Sequence, residues 1–278
     1  MKIAVIGSGT MGSGIVQSLA TKHQVIIRDI DPKALEKAKE KIKDSYEKNV
    51  SKERMTKEEM ETALKNISVS AEIEDIKDAD VVIEAATENP KVKKSIFKEL
   101  SEVCKENTIL ASNTSSLSIT DLGQATQRPE KVIGMHFFNP VPVMKLVEVI
   151  SGKKTDEKTK NTIIGLAKEI GKTPVEVEEA PGFVVNRILI PMINEGIGIY
   201  AEGIASKEDI DTAMKLGANH PMGPLELADL VGLDIVLAIM EVLYNEFGDP
   251  KYRPHQLLKK MVRAGLLGRK TKEGFYKY

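Results

Sequence analysis

The sequence predicts an α/β fold in which a domain with a mostly parallel sheet precedes an all-α domain. Runs of strand length that are rich in Val and Ile alternate with helical stretches through the first half of the chain. These runs lie at residues 3–6, 25–28, 81–85, 108–111 and 132–134. Several of them are continuously apolar, which is typical of strands that helices cover on both faces.

The length of 278 residues favours two domains, because an average domain has about 150 residues. We place the boundary at Pro181-Gly182, since a last strand-like run at 175–177 precedes this pair and only helical periodicity follows it. The first domain then covers residues 1–180 and the second covers 181–278. Within the first, a charged stretch from about 33 to 65 has apolar residues at spacings of three and four, which predicts either a projecting helical arm or a surface helix.

Charge and composition exclude several classes of function. Hydrophobic residues make up 41% and charged residues 29% of the chain, as in ordinary globular proteins. Forty basic and 41 acidic side chains give a net charge of −1, which argues against a nucleic-acid binder with its basic excess. The four histidines have no metal-ligand spacing, so we expect no metal.

The cellular context is predicted from Cys104 and from the absence of targeting signals. One cysteine cannot form an internal disulfide, which is typical of an intracellular protein. The N-terminus has no signal-peptide core, and the most apolar stretch, 230–243, is short and carries Asp234 and Glu241. We therefore expect a cytoplasmic protein without a membrane partner.

A glycine-rich turn predicts a dinucleotide site on a Rossmann-type domain. The run follows the strand 2–6, opens an apolar helix, and is followed by a second strand that ends in Asp29, the order that this motif requires. Backbone amides at the start of the helix would meet the pyrophosphate. The turn consists of Gly7, Ser8, Gly9, Thr10, Met11 and Gly12.

The choice of cofactor depends on Asp29. Its carboxylate is placed to accept hydrogen bonds from the adenine ribose, which favours NAD. The neighbouring Arg28 keeps NADP as an alternative, and a purely structural turn is the competing interpretation of the glycines.

The predicted catalytic group is His136, with Glu148 as its partner. His136 lies where a strand ends, at the edge where open α/β sheets bind ligands. In the strand-like run 145–150, alternation places Glu148 on the same face as Leu146 and Ile150, so we expect a buried or half-buried carboxylate that needs a partner. A Glu that binds one imidazole nitrogen would leave the other to exchange a proton with a substrate hydroxyl. The alternatives are a structural histidine and an ion pair of Glu148 with Lys145 or Arg187.

Two further polar positions could contact a bound cofactor or substrate. The loop 112–116, which contains Ser115, follows another strand, and its hydroxyls could hold cofactor or substrate oxygens or could cap the next helix. Asn186 lies on the first helix of the second domain, where it could bind a substrate carbonyl or make a contact between helices.

Together these segments resemble the 3-hydroxyacyl-CoA dehydrogenase family over essentially the whole chain, and most closely its short bacterial members that act on 3-hydroxybutyryl-CoA. The marks are GSGTMG at 7–12, ENPKVK at 88–93, SNTSSL at 112–117, HFFNPVPVMKLVEVI at 136–150, PGFVVNR at 181–187 and the stretch 214–227. The resemblance implies an oxidoreductase that reversibly oxidises an (S)-3-hydroxyacyl-CoA to the 3-ketoacyl-CoA, with C4 or short acyl chains, in butyrate or fatty acid metabolism. Medium-chain substrates stay an alternative.

The resemblance also implies roles for individual residues. His136 would take the hydroxyl proton, Glu148 would orient it, and Ser115 and Asn186 would contact the substrate. Ser45 and Lys52 would bind the CoA moiety, and the helical domain would form a homodimer. The positions that match the cofactor site are Glu88, Lys93, Ser115, Asn139 and Lys270.

Two other functions compete with this one. The first is an NAD-binding structural or regulatory protein on the same fold, which need not keep the set of His136, Glu148, Ser115 and Asn186. The second is a different β-hydroxyacid dehydrogenase with a catalytic lysine on the helical domain, where this chain has Asn186-Arg187.

The near-neutral charge is an average over unlike parts. Residues 251–278 hold nine Lys or Arg and one acid, while the rest of the chain is acidic. This basic segment would suit the phosphates of CoA or NAD, or an acidic neighbouring subunit; the alternative is a solvated tail.

Overall fold

The computed structural model describes all 278 residues, which form two compact units, Met1–Glu179 and Ala180–Tyr278. The first unit is built on one eight-stranded sheet. Its strands are β1 (Lys2–Ile6), β2 (Gln24–Arg28), β3 (Ile67–Ser70), β4 (Val81–Glu84), β5 (Ile109–Ser112), β6 (Val132–Phe137), β7 (Leu146–Ser151) and β8 (Thr173–Glu178). Its helices are α1 (Thr10–Leu19), α2 (Pro32–Ser51), α3 (Lys57–Lys65), α4 (Pro90–Val103), α5 (Ile119–Gln124) and α6 (Glu157–Glu169).

The sheet has the order β3-β2-β1-β4-β5-β6-β7-β8 and confirms the predicted mostly parallel architecture. Only the β6–β7 pair is antiparallel. The carboxyl ends of β1, β2, β4, β5 and β6 therefore lie at one edge, and β7 begins at that same edge. The strand order reverses between β1 and β4, which is where open α/β sheets bind ligands.

The interior strands are mostly apolar because helices cover both faces of the sheet, and their polar residues lie toward the carboxyl ends. All four residues of β4 and all six of β6 are buried, and the core extends to the inner faces of α1, α2 and α6. Strand β3 has no counterpart in the predicted elements. It has only four residues and none of them is buried, so it lacks the continuous apolar signal of the interior strands.

The charged stretch after β2 forms two helices rather than one. The apolar side of α2 is buried, and the Tyr46 hydroxyl donates to the Gln17 carbonyl of α1 at 2.6 Å. The helical conformation is interrupted between α2 and α3, where Glu53 has a φ of 55°. Helix α3 then begins with a capping box of Thr56 and Glu59. The structure thus favours the surface-helix interpretation for α2.

The second unit is all-helical, with α7 (Val185–Ala201), α8 (Lys207–Gly217), α9 (Pro224–Val231), α10 (Leu233–Phe247) and α11 (Gln256–Arg263) around their own core. The segment after α11 packs back onto α9 in this unit. The buried Asp229 carboxylate accepts hydrogen bonds from the backbone amides of Phe275 and Tyr276, at 2.9 and 2.8 Å. None of the chain's helices has both the length and the apolar character needed to cross a bilayer.

Candidate active site

The glycine turn between β1 and α1 has the close approaches that a dinucleotide cradle requires. Gly7 has a φ of 99°, a region that favours glycine. A Cβ atom on Gly12 would lie 1.9 Å from the Gly7 carbonyl oxygen, so no larger residue fits there. A Cβ on Gly9 would meet nothing within 4 Å, and no side chain caps the start of α1. The first amides of α1 are therefore placed to meet a pyrophosphate, and the turn fits NAD.

Asp29 follows β2 and is bound to this turn. Its Oδ2 atom accepts hydrogen bonds from the backbone amide and the hydroxyl of Ser8, at 2.7 and 2.6 Å. Burial alone would raise the pKa of Asp29, but the hydrogen bonds from Ser8 outweigh it and lower the pKa below its usual value. The result is an ionised acceptor at the edge of the cradle. The neighbouring Arg28 has a buried Nε atom with no hydrogen-bond partner.

His136 and Glu148 form a buried pair at the same edge of the sheet. They are register partners in β6 and β7, and Nδ1 of His136 lies 2.8 Å from Oε2 of Glu148. His136 is 6% exposed and Glu148 is 1% exposed. A carboxylate partner makes Nδ1 the donor, so Nε2 is the acceptor nitrogen of the neutral ring. The structure thus brings together the two residues that the sequence pattern paired.

A polar network occupies the adjacent strand ends and holds Ser115. Oε1 of Glu88 accepts hydrogen bonds from the Ser115 amide at 2.8 Å, from the Ser115 hydroxyl at 3.2 Å and from the Thr114 hydroxyl at 2.5 Å. Oε2 of Glu88 lies 3.3 Å from Nζ of the buried Lys93. Burial alone would raise the pKa of Glu88, but Lys93 and these hydrogen bonds lower it overall. Glu88, Lys93 and Ser115 are therefore one cluster, as their matching positions imply.

Glu84 belongs to this cluster and was missed by the sequence analysis. It is fully buried and pairs with Lys93. The sequence signal for this pair is an acidic residue, Glu84, at the end of an otherwise apolar strand, followed nine positions later by Lys93.

The loop after His136 is tied to its surroundings by two side chains. The Asn113 side-chain oxygen accepts a hydrogen bond from the Phe137 amide at 2.8 Å, which links the ends of β5 and β6. The Lys172 ammonium donates to the carbonyls of Val141 and Met144. Burial lowers the pKa of Lys172. Both contacts fix a loop that lines a cavity beside α1 and α2.

A cavity of about 530 Å³ lies between α1, α2 and this loop. It places Asn139 near Thr10 of the glycine turn. Ser45 also lines it and accepts a hydrogen bond from the Gln17 side chain at 2.7 Å. Lys52 is not among the lining residues. The cations that line the cavity are Lys41 and Arg54, which the sequence analysis did not single out.

The remaining predicted residues lie in the second unit. Asn186 is half-buried in the first turn of α7. Lys270 pairs with Asp234, and Arg269 pairs with Glu226 at 3.1 Å. Acidic side chains of this unit thus neutralise part of the basic C-terminal segment.

No group of three or more His, Cys, Asp or Glu side chains in the chain is arranged to hold a metal ion. Burial raises the pKa of the Cys104 thiol to about 11, so it is a poor nucleophile at neutral pH.

Comparisons with known proteins cover both units. The family model for the 3-hydroxyacyl-CoA dehydrogenase NAD binding domain matches residues 2–180, and the model for the C-terminal domain of the same family matches residues 182–278. A 3-hydroxybutyryl-CoA dehydrogenase of Clostridioides difficile is 61% identical over 100% of this chain and 99% of its own length. The human mitochondrial hydroxyacyl-coenzyme A dehydrogenase is 46% identical, over 99% of this chain and 90% of its own. The crystal structure of (S)-3-hydroxybutyryl-CoA dehydrogenase from Ralstonia eutropha superposes with a TM-score of 0.97 at 50% identity, covering 100% of this chain and 98% of that one.

Proposed function

The chain belongs to the 3-hydroxyacyl-CoA dehydrogenase family, and we propose that it interconverts (S)-3-hydroxybutyryl-CoA and acetoacetyl-CoA with NAD. The observation that carries this proposal is the buried His136–Glu148 pair at the sheet edge that also bears the glycine turn. The family assignment spans both units and removes the alternative of a different β-hydroxyacid dehydrogenase.

His136 acts as the base in the oxidative direction. Nε2 accepts the proton of the C3 hydroxyl while Glu148 stabilises the resulting imidazolium through Nδ1. A positioned base of this kind contributes about 10² to 10⁴ in rate. NAD bound at the glycine turn would supply the hydride acceptor.

Ser115 and Asn186 orient the substrate in this proposal. Ser115 is supported by its position on the loop after β5, next to β6, which carries His136, and by the hydrogen bonds that fix it on Glu88. The role of Asn186 rests on the family resemblance. Hydrogen bonds to the substrate oxygens would hold C3 and its hydroxyl in a reactive geometry.

The CoA moiety occupies the cavity between α1 and α2. Ser45 offers a hydroxyl there, and the Arg54 guanidinium suits the CoA phosphates because it can bind two phosphate oxygens at once. Lys41 also lines the cavity, and Lys52, which matches a CoA-binding position, is exposed at the end of α2 and could add a further charge.

A homodimer through the helical unit is part of the proposal. Three large apolar side chains on or beside its helices are far more exposed than is usual: Ile188 at 69%, Ile204 at 67% and Leu216 at 83%. A second copy of the chain could cover these side chains, and the homodimer itself is what the family resemblance implies. Light scattering behind a sizing column tests this, and a monomeric mass would contradict it. A cytoplasmic location and a role in butyrate or fatty acid metabolism stay predictions from the sequence.

The direct test is NADH oxidation by the purified protein with 3-ketoacyl-CoA substrates. We expect acetoacetyl-CoA to give the highest kcat/KM, with lower values for longer acyl chains and for NADPH. A preference for medium chains would correct the substrate, and a preference for NADPH would correct the cofactor. No oxidation with any 3-ketoacyl-CoA would contradict the proposal and favour a non-catalytic NAD-binding protein.

A further inference from the structure

Glu84 is a fully buried carboxylate that the proposed mechanism does not use. It ends β4 and is the register partner of Ile6 in β1 and of Ser112 in β5. It therefore lies in the middle of the sheet, where β1 leads into the glycine turn. A charge in such a place is costly unless it is paired and hydrogen-bonded, so its partners indicate what it does.

Both oxygens of Glu84 accept hydrogen bonds. Oε1 accepts from the Ala86 amide and from the Lys93 ammonium, each at 2.8 Å. Oε2 accepts from the same ammonium and from the Ser112 hydroxyl, also at 2.8 Å. Lys93 thus bridges the two oxygens, and its position is set by Glu84.

Two routes lead from Glu84 to the loop that carries Ser115. In the first, Lys93 lies 3.3 Å from Glu88, whose other oxygen holds the Ser115 amide and hydroxyl. In the second, the Ser112 hydroxyl that donates to Glu84 accepts a hydrogen bond from the Thr114 amide at 3.2 Å. The carboxylate therefore supports this loop through both Lys93 and Ser112.

We propose that Glu84 is a positioning residue that fixes Lys93 and Ser112, and through them the Ser115 hydroxyl and the Glu88 carboxylate that receives it. The inference rests on the proposed function, in which Ser115 contacts the substrate. The competing explanation is a buried ion pair that serves stability alone.

The substitution Glu84→Gln separates these explanations on physical grounds. An amide at this position has one acceptor oxygen, and its NH2 group would face the Lys93 ammonium, a second donor. Lys93 would then move toward Oε2 of Glu88, its other carboxylate partner, and would shift the carboxylate whose Oε1 holds Ser115. The expected consequence is a misplaced hydroxyl in a folded protein, and small displacements of reacting groups lower kcat strongly.

The test is a double-mutant cycle on kcat for acetoacetyl-CoA reduction. We expect Glu84→Gln to lower kcat about tenfold in the wild type. In a Ser115→Ala background it should lower kcat less than about twofold, because the group that it positions is already gone. An unchanged kcat in Glu84→Gln, or the same fold loss in both backgrounds, would overturn the inference.

A second variant keeps the inference testable if Glu84→Gln does not fold. Ser112→Ala removes the bridge to Thr114 and leaves the Glu84–Lys93 pair intact; we expect a loss of about threefold that also disappears with Ser115→Ala. If Glu84→Gln does not fold, an equal Ser112→Ala loss in both backgrounds overturns the inference.

The matched control is Asp156→Asn, which alters another carboxylate paired with a lysine, Lys131, at the opposite end of β6. It should lower the thermal midpoint and leave kcat unchanged. An inactive wild type would contradict the proposed function. An active wild type in which Glu84→Gln causes the same fold loss with and without Ser115 would contradict only the role of Glu84.

Discussion

Nδ1 of His136 lies 2.8 Å from Oε2 of Glu148, and the two residues face each other across the antiparallel β6–β7 pair. Directly opposed residues of an antiparallel pair have Cβ atoms about 4.5 to 5.5 Å apart, which suits a contact between an imidazole and a carboxylate. The register of the two strands therefore sets the orientation of the histidine, and no mobile loop is needed to hold it. Preorganisation of this kind is what a general base requires.

His136→Gln should lower kcat for acetoacetyl-CoA reduction by about 10² to 10⁴ and leave NADH binding intact, because the proposed proton donor of this direction is lost while the glycine turn is untouched. Steady-state kinetics and fluorescence titration with NADH measure the two effects. His23→Gln is the matched control, since His23 is also buried and lies 3.2 Å from a carboxylate, Glu169, but follows α1 at the opposite edge of the sheet. Full activity in His136→Gln, or an equal loss in His23→Gln, would refute the assignment.

Asp29→Ala should reduce the preference for NADH over NADPH by about tenfold or more. The variant removes an ionised acceptor for the ribose hydroxyls, and with it the repulsion of a 2′-phosphate. The ratio of kcat/KM for the two cofactors is the measurement. Asp31→Asn removes a nearby charge and keeps an N-cap side chain for α2, so it should leave the ratio near that of the wild type. An unchanged ratio in Asp29→Ala would mean that this carboxylate does not read the ribose.

Arg54→Ala should raise KM for acetoacetyl-CoA about tenfold with little change in kcat, because a lost phosphate contact weakens substrate and transition state equally. Lys52→Ala should have a smaller effect, since Lys52 does not line the cavity. Inhibition by free CoA provides a readout that does not depend on the acyl group. The reverse ranking of the two variants would place the CoA phosphates at Lys52.

The central strands and the His136–Glu148 pair could be predicted because both depend on local patterns. Continuous apolar runs mark strands that are covered on both faces, and an acid that shares a strand face with apolar residues indicates a buried carboxylate with a partner. Strand β3 escaped prediction because its four residues carry no such run, and its place at the sheet edge depends on pairing with β2.

Arg54 and Glu84 show the complementary failure. Arg54 follows α2 and lines the cavity through the fold of the α2–α3 connection, and nothing in its local pattern indicates this. Glu84 ends an apolar strand, but its partners come from α4 and β5, which only the assembled sheet brings together. Residues that act through tertiary contacts carry little signal in the sequence around them.

Asp156→Ala should destabilise the first unit in a manner that depends on pH. Asp156 caps α6 by accepting a hydrogen bond from the Thr159 amide at 2.6 Å, and it pairs with Lys131 at 2.8 Å. Burial alone would raise its pKa, but these partners outweigh it and lower the pKa to about 2.

Because the carboxylate has a lower pKa in the folded state than the value of about 3.9 in an unfolded chain, its contribution to stability is present above about pH 4 and is lost as the pH falls toward 2. We expect Asp156→Ala to lower the free energy of unfolding by about 1 to 2 kcal/mol at pH 7, mainly through the lost cap. The difference from wild type should stay constant between pH 7 and about 5 and should shrink below about pH 4. Urea denaturation at several pH values, followed by circular dichroism, measures it. Glu157→Ala, which removes an exposed partner of Lys160, is the control and should change stability by less than about 0.5 kcal/mol. A difference that widens on acidification would show that the Asp156 carboxylate is not the stabilising form.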